Sequence, residues 1–578
     1  MAPTRTQLLR ALRRFRTFLE IDGANSFKIN AYVRAVRALE DESIDVAARV
    51  ADDSLTEIDG IGKGIAEKVA EFWSTGAIAE LDELEVKYPA GLAGMVEVPG
   101  FGAKKARAVW EELEVDSIAA LKAACEDGRV ATLKGFGAKS AAKILEGIAQ
   151  IEKHSGRFRI DVAWRAAQPI LAMLRAMDGM ERAEVAGSLR RWRETAKDLD
   201  FLCATTKPKE VIDAFAAAPG VERVTGQGAT KAGVVLDSGI AADLRCVSRE
   251  EFPFALLYFT GSKEHNTRLR GLAREKGLKL NEYGLFPEGS EKSLPAADEA
   301  AIHKHLGLAF IEPELREDLG EVDAAAEGKL PRLVERGDLR GLMHLHTKHS
   351  DGEPEVEDYA AWAAENGIEW MGIADHSQAA TYAGGLSPKA VQAQWREIDA
   401  ANAKYAKKGV RLLKGIECDI LPDGSLDYDE ELLKGFEYVV ASVHSNFNFD
   451  EARQTKRIRR ALESPYTTIL GHMTGRLLLR RDGYAVAQKE IIQAAGELGV
   501  IIEINAYPLR LDVDWRLLRF AQECGCLLSL GPDAHAMAGL ENVRYGLGIA
   551  RKGWVEKERL VNCLGVEEFL ALARKRRP

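Results

Sequence analysis

Seven short apolar runs after residue 340 each lead into a side chain that can bind a metal. Leu342-Met343 leads into His344-Leu345-His346, and Trp370–Ala374 into Asp375-His376. Leu412–Ile416 leads into Glu417, Tyr438–Val443 into His444, and Thr468–Gly471 into His472. Val500–Ile502 leads into Glu503 and Asn505, and Leu527–Leu530 into Asp533 and His535. The intervening stretches have helical pattern, as in 353–365 and 484–498. Seven strand-helix repeats predict a parallel α/β barrel, and such barrels carry their chemistry at the C-terminal strand ends. One histidine at a strand end is usually a structural hydrogen-bonder; histidines at five of seven ends, with acids at the others, point to metal. Imidazole mixed with carboxylate favours Zn²⁺, Mn²⁺ or Fe²⁺ over Mg²⁺.

The rest of the chain has a different composition. Of 11 histidines, seven fall in the last 238 of 578 residues, so two chemistries are expected, joined near residues 315–340. No apolar run reaches the ~18 residues of a membrane span. The Arg-rich N-terminus lacks the apolar stretch of a secretory signal. Seven scattered cysteines without a C-x-x-C pair read as reduced buried thiols, so a cytoplasmic protein is expected. The net charge of −10 argues mildly against nucleic acid. Yet residues 1–40 hold eight basic side chains, Arg37 among them, against Glu20, Asp22 and Glu40. A basic groove can therefore hide in an acidic total.

Three segments repeat: Ile58–Ala66, Val98–Ala106 and Leu133–Ala141. Each has a Gly-x-Gly turn entering a helix, with Gly60, Gly62 and Gly64, Gly100 and Gly102, and Gly135 and Gly137. Glycine allows positive φ and close backbone approach, and the N–H groups opening the second helix can face a phosphate. A capped helix-helix turn explains one copy; three copies point to a grip on a nucleic-acid backbone. The pattern resembles the helix-hairpin-helix motif of DNA-repair proteins.

In the middle, Leu199, Phe201 and Cys203 alternate as a strand with one buried face, which puts Asp198 and Asp200 together on the other. After a turn at Asp237-Ser238-Gly239, a second strand alternates Ala242, Leu244 and Cys246 with Asp243 and Arg245. Three carboxylates on neighbouring strands suit a two-Mg²⁺ site for in-line phosphoryl transfer. Gly187 and Ser188 can donate to a triphosphate, and Arg191 adds charge.

Gly187-Ser188-x-Arg190-Arg191, Asp198-x-Asp200 and Asp243-Leu244-Arg245 together resemble the nucleotidyltransferase signature of family X DNA polymerases. Tyr258–Ser262 and Leu280–Leu285 are similar to that family's nucleotide-pocket and thumb segments. The resemblance covers residues 1 to about 315. It implies that Tyr258, Phe259 and Gly261 form a turn against the incoming sugar, that Asn266 meets the base's minor-groove edge, and that Arg270 faces the template. The family often has an acid after Gly-Ser; here Lys263 follows. Lys68 falls where DNA polymerase beta carries its deoxyribose-phosphate lyase nucleophile; a phosphate-facing helix lysine is the other reading.

His344-x-His346-Thr-x-x-Ser-Asp351-Gly, with the later strand-end ligands, resembles the PHP (polymerase and histidinol phosphatase) domain. That resemblance implies three metal ions on nine ligands: His344, His346, Asp351, His376, Glu417, His444, His472, Asp533 and His535. His349 is close enough in sequence to compete with Asp351. Such sites hydrolyse phosphoesters.

Across the whole chain, the pattern resembles bacterial family X DNA polymerases with a C-terminal PHP domain. The implied fold is a helix-hairpin-helix N-terminal region, an α+β nucleotidyltransferase palm and thumb, and a distorted (β/α)7 PHP barrel. The expected boundaries are a lyase-like helical domain at 1–85, helix-hairpin-helix fingers at 86–150, palm at 151–250, nucleotide-selecting thumb at 251–315, linker at 316–340 and PHP domain at 341–578. The implied activities are short-gap filling in base-excision repair and 3′→5′ exonuclease action, with AP-endonuclease or 3′-phosphatase chemistry as further options. Mg²⁺ or Mn²⁺ is expected at the palm and three Zn²⁺ and/or Mn²⁺ ions at the barrel. The expected partners are gapped or nicked duplex DNA and dNTPs, with no membrane, for a monomer. Two rivals are a PHP phosphatase acting on a small phosphoester and a non-catalytic DNA-end-binding scaffold. The repeats count against the first, and the intact carboxylate and ligand sets against the second.

Overall fold

In the computed structural model, residues 3–39 and 44–578 are described, apart from the side chains of Thr6, Arg37, Lys153 and His154. Glu40 and the Arg37 side chain, both named above, lie outside that set. The chain forms two compact units. One comprises Met1–Arg157, Ile212–Ala242 and Leu479–Arg481; the other comprises Phe158–Val211, Asp243–Leu478 and Asp482–Pro578. Among the described residues, no helix is long and apolar enough to cross a membrane. All seven cysteines are free; Cys524 and Cys563 are only half-buried, because they lie in turns at the ends of short helices.

The first unit is mainly helical. Helix α1 (Arg5–Asp22) opens on a capping box between Thr4 and Gln7 and buries Leu8, Leu12, Phe15 and Leu19, one face at helical spacing. The three repeats fold alike. Gly60, Gly100 and Gly135 have φ of +85°, +78° and +85°. The second glycine of each pair then caps a helix: Gly62 for α2 (Lys63–Thr75), Gly102 for α3 (Ala103–Leu113) and Gly137 for α4 (Ala138–His154). Ile61 and Phe101, between the glycines, anchor two of the turns in the core. The expected turn at Asp237-Ser238-Gly239 forms, with Gly239 at φ +84°.

The second unit carries β1 (Met180–Val185), β2 (Asp198–Thr205) and, from Asp243 onward, most of β3 (Ala241–Val247), with β2 in the middle. Leu199, Phe201 and Cys203 are buried as their alternation predicts. The expectation of a single buried face needs correction, because Leu202 and Ala204 are buried too. Helix α5 (Phe252–Thr260) covers them with Phe252, Ala255 and Leu256. The start of β2, Asp198 to Asp200, keeps a wet face, and after it only the last residue, Thr205, is half-exposed. Helix α6 (Lys263–Glu275) and a hairpin, Leu278–Asn281 with Gly284–Pro287, follow. The stretch expected as a linker is packed: Arg316 and Glu321 are fully buried because Glu299 and His265 bind them.

Strands β4 (Gly341–Leu345), β5 (Trp370–Ile373), β6 (Arg411–Asp419), β7 (Tyr438–Ser442), β8 (Ile469–Leu470), β9 (Ile501–Asn505) and β10 (Leu528–Gly531) form one parallel sheet in chain order. The sheet curls until its last strand meets its first through a parallel bridge, Leu345 to Ala534, with the His346 N–H donating to the Ala534 carbonyl at 2.9 Å. The helical stretch expected from 484 begins only at Gln488, since the Tyr484 hydroxyl turns back to donate to the Met473 carbonyl at 2.6 Å. Helix α7 (Val543–Lys552) follows β10, and α8 (Val566–Arg574) packs over the first residues of the strands. There Phe569 stacks on Trp370 at 4.8 Å, and both are fully buried. Phe569→Ala should therefore destabilise the barrel by about 3–5 kcal/mol. Urea unfolding followed by a probe placed in the barrel checks this, and an unchanged midpoint would refute the packing role.

Candidate metal centre and nucleotide site

Every one of the nine barrel residues enters a tight group of potential ligand atoms. His346, Asp351, His376 and His535 form one; His344, Glu417 and His472 a second; His344, His346 and Asp533 a third; and His376, Glu417 and His444 a fourth. Within each group the ligand atoms lie within 4.8 Å of one another. Period two on a strand explains the pairings His344/His346 and Glu417/Asp419, which share a face. Strand β4 shifts register between Leu342 and Leu345, and His344 adopts φ +63°, as Asp533 adopts +50°. Left-handed backbone costs a non-glycine residue about 1–2 kcal/mol. Such strain collects at functional sites.

Glu417 is the hub. Its Oε1 lies 2.9 Å from His472 Nε2, 3.2 Å from His444 Nε2 and 3.4 Å from His344 Nε2. Its Oε2 lies 3.0 Å from His376 Nδ1 and 3.8 Å from His346 Nε2. Yet His344 Nε2, both ring nitrogens of His346, His376 Nδ1 and Glu417 Oε2 are buried and make no hydrogen bond. Buried polar atoms are rarely left so. Convergent lone pairs lacking hydrogen-bond geometry fit cations between them. Burial alone would raise the Glu417 carboxyl, but His444, His344 and His376 hold it well below the usual range. Burial and then the neighbouring His535 push His346 down to about 3, so it is a neutral imidazole ready to donate a lone pair. Despite burial, Glu417 and Asp419 raise His444 to about 10, and Asp351 and Asp533 raise His535 to about 9.

The structure brings Asp351, and not His349, into the cluster; His349 Nε2 instead sits 3.0 Å from Glu397. Asp375 does not join the cluster. It accepts from Thr347 N and Oγ1 at 2.8 and 2.7 Å and from Ser350, bracing the loop that delivers Asp351. Sequence reasoning missed two orienting carboxylates. Glu503, a strand-end candidate, bonds His344 Nδ1 and accepts from His472 N at 2.7 Å. Asp419 Oδ1 sits 2.7 Å from His444 Nδ1; its signal was its place two residues after Glu417. Such partners fix the tautomer and ring orientation of a metal-binding histidine. Arg510, 3.4 Å from Asp533, had no sequence signal.

In the palm, Asp198 and Asp243 are exposed and Asp200 half-buried on adjacent strands. Burial, then Asp198 and Asp243, raise Asp200 to about 6 against the pull of Arg191 and Arg245. Unlike the barrel residues, these three carboxylates do not form a tight ligand group among the described residues. Like charges facing water spread apart. Gly187, at φ +60°, leaves room for the Asp200 carboxylate where any Cβ would collide with it. Ser188 is half-buried in the same helical turn, Gly187–Arg190. Arg191 donates through Nη1 to the Thr260 carbonyl and through Nε to Glu317 Oε1 at 3.1 Å.

Two pocket expectations change. Tyr258 and Phe259 lie in the last turn of α5, because apolar burial carries the helix through Thr260; the chain turns only at Gly261, φ +70°. The Asn266 amide donates to the Tyr258 carbonyl at 2.7 Å, so its minor-groove role requires that bond to open. Arg270 is exposed on α6. In the first unit, Lys68 is bound by Glu71 at 3.3 Å and Glu80 at 3.6 Å, beside a groove of about 920 Å³ lined by Lys28, Tyr32, Arg34, Lys63 and the Gly60–Gly64 turn. A Cβ added at Gly62, Gly64, Gly100, Gly102, Gly135 or Gly137 would meet nothing, so these turns face open space.

Known proteins match in the same places. Residues 3–78 match a helix-hairpin-helix domain, and 52–114 and 92–150 match a SAM-like helix-hairpin-helix tandem. Residues 255–317 match the DNA polymerase beta thumb and 343–507 the PHP domain. The DNA polymerase/3′-5′ exonuclease PolX of Bacillus subtilis (strain 168) is 36% identical over 572 residues, covering 98% of this chain and 99% of that protein. This chain belongs to the PolX family. Beyond PolX, DNA polymerase lambda of Rattus norvegicus is 25% identical over 316 residues, 50% of this chain and 52% of its own. A probable phosphatase of Thermoanaerobacter sp. (strain X514) is 28% identical over 165 residues, 27% of this chain and 65% of its own. Divalent-metal dependence follows for a PolX protein, and the barrel groups fit it.

Two outcomes follow from the charges. His344, His444 and His535 carry raised values without metal, so at pH 7.5 metal must displace their protons. Calorimetric titration of metal-stripped protein with Mn²⁺ or Zn²⁺, in buffers of different ionisation enthalpy, should show proton release, and affinity should fall as pH falls. Binding without proton release would refute the raised values, and absence of any binding would refute the cluster as a metal site. For Asp200 the folded value, about 6, lies above the unfolded 3.8. The mismatch is absent below about pH 4 and destabilises the metal-free fold fully above pH 6, by up to about 3 kcal/mol. Asp200→Asn should therefore raise the urea midpoint of metal-free protein at pH 7.5. A lowered midpoint would contradict the crowding.

Proposed function

We propose that this chain is a DNA-directed DNA polymerase that fills short gaps in repair and trims 3′ ends with a 3′→5′ exonuclease. The observation that carries this reading is one chain holding two separate acidic centres, an open carboxylate triad on β2 and β3 and a largely buried cluster of nine candidate ligands in a barrel. The full-length likeness to a protein named for both activities supports it.

In the palm, Asp198, Asp200 and Asp243 would hold Mg²⁺ or Mn²⁺. Bound there, the cations would supply charge for the triphosphate and acidity for the attacking 3′ hydroxyl. Gly187 gives Asp200 its place, and Arg191 presents positive charge beside it. Ser188, Tyr258, Phe259, Gly261, Asn266 and Arg270 would line the dNTP and template side. The three Gly-x-Gly turns would hold the duplex backbone without reading sequence, and Lys68 would face a 5′ phosphate or sugar at the groove beside α2.

In the barrel, three Zn²⁺ and/or Mn²⁺ ions would sit among the nine residues. Glu417 shows its two oxygens to different histidine sets, so it is the ligand placed to be shared. Glu503 and Asp419 hold His344 and His444 in orientation. The same centre supports a second reading, removal of a 3′ phosphate, favoured by the likeness of about a quarter of the chain to proteins named probable phosphatases. A monomer in the cytoplasm completes the proposal.

The test is separation of the activities. On a one-nucleotide-gapped duplex with dNTPs, Asp200→Ala should lower extension at least a thousandfold and leave 3′ trimming within about twofold, and Glu417→Ala should do the reverse, on the scale of losing a group required for the chemistry. Extension by Asp200→Ala at the wild-type rate, or trimming by Glu417→Ala, would overturn the corresponding assignment.

A further inference from the structure

Four consecutive palm residues, Arg191 to Glu194, connect the Gly187–Arg190 turn to the strand carrying Asp198 and Asp200, and the barrel side holds all four. Lys552, the last residue of α7, is 1% exposed. Its Nζ donates to the Arg191 carbonyl at 3.0 Å, to Glu317 Oε1 at 2.6 Å and to the Glu314 carbonyl at 3.2 Å, and lies 4.6 Å from the Trp515 ring centre. Trp192, at φ +54°, lies against Gly548 of the same helix, where any Cβ would collide with the indole. The Arg193 guanidinium lies 5.7 Å over the Trp515 ring. Glu194 accepts from Trp515 Nε1 at 3.0 Å and from Arg516 Nη1 at 3.1 Å.

Glu317 is shared. Its Oε1 takes both Lys552 and the Nε of Arg191, and its Oε2 takes Arg193 at 3.2 Å. One buried ammonium therefore fixes Arg191 at both ends, through its own carbonyl and through the carboxylate that grips its guanidinium. The opposite edge of that guanidinium meets the Thr260 carbonyl through Nη1, beside Gly261. Nη2 is the nitrogen these contacts do not engage. An ammonium this deeply buried is costly, and burial is its largest perturbation, lowering it to about 8 against the pull of Glu317. A simple domain contact could be made with apolar side chains at less cost.

We infer that Lys552 of the PHP domain, acting through Glu317, is a positioning residue of the polymerase site that holds Arg191 toward the triphosphate of the incoming nucleotide. This rests on the reading of the palm as the nucleotide site. The PHP domain would then be part of the structure that sets nucleotide affinity, independently of its own metals.

The test uses the full-length protein and gapped duplex, with dNTP titrations of wild type, Lys552→Met, Glu317→Gln and the double variant. Arg191 grips a group present in ground and transition states alike, so KM for dNTP should rise about tenfold while kcat changes less than about twofold. Trimming of single-stranded DNA and bound metal should stay at wild-type values. Because the two residues act in series, the double variant should be no worse than either single one. Unchanged KM in both single variants, additive effects, or parallel loss of extension and trimming would each overturn the inference. Should Lys552→Met fail to fold, the near-isosteric Glu317→Gln decides by the same KM and trimming measurements. Asp200→Asn run alongside separates the two readings: abolished extension supports the palm reading, and normal extension would overturn it together with this inference.

Discussion

The barrel depends on how a fully buried carboxylate, Glu417, is compensated. A lone carboxylate in such surroundings would cost several kcal/mol and would take up a proton. Here its two oxygens face five imidazoles drawn from four separate strand ends, so the fold must close for the charge to be tolerable. Closure needs β10 to reach β4, and the Leu345–Ala534 bridge supplies it. Strain at His344 and Asp533, and the register shift beside His344, are local consequences of aiming side chains inward from strands that would otherwise run straight. Gly531 belongs to the same solution, since a Cβ there would collide with Glu503 and crowd His344.

The two centres solve opposite problems. In the barrel, most of the nitrogen and oxygen ligand candidates are buried, Asp351 being exposed; two of the histidines are oriented by Glu503 and Asp419, and the groups are close enough to hold ions. In the palm only oxygen ligands are offered, two of the three carboxylates are exposed, and their repulsion is felt in the raised Asp200. Hard, strongly hydrated cations that arrive with a triphosphate suit the second arrangement. Borderline transition-metal ions suit the first. The partition of histidine along the chain, absent from the palm carboxylates and dense in the barrel, is this division written in composition.

That partition is why so much of the site could be read before the fold was known. A ligand at a strand end carries its address in the apolar run before it, so eight of the nine barrel residues were legible that way, and Asp198/Asp200 followed from period two. Choosing between His349 and Asp351 needed the loop geometry set by Asp375, a residue that looked like a ligand and acts as a brace. The second buried face of β2 was hidden because it is covered by α5, some fifty residues later, and local alternation says nothing of distant cover. The family resemblance alone places Tyr258 and Phe259 in a turn, but buried Phe254, Ala255 and Leu257 carry the helix to Thr260. The contacts of Lys552 were illegible for the same reason, since more than two hundred residues separate it from Glu317.

Long-range contacts of that kind also bear on how the two chemistries are joined. Arg190 is clamped to Glu299, which in turn binds the fully buried Arg316, while the adjacent Arg191 is held through Glu317 and Lys552. The paired arginines after Gly187-Ser188 thus face two different supports, thumb on one side and barrel on the other. Withdrawing Glu299 would leave the fully buried Arg316 without its carboxylate, and withdrawing the barrel would take from Glu317 one of its three cations and from Trp192 the glycine hollow that receives it. Uncompensated buried charge is more costly than a lost contact. The stretch between residues 313 and 326 is therefore packed rather than loose, because its carboxylates neutralise cations from both sides at once. A polymerase palm and a phosphoesterase barrel assembled this way share one electrostatic seam, and each is the solvent-excluding wall of the other's charges.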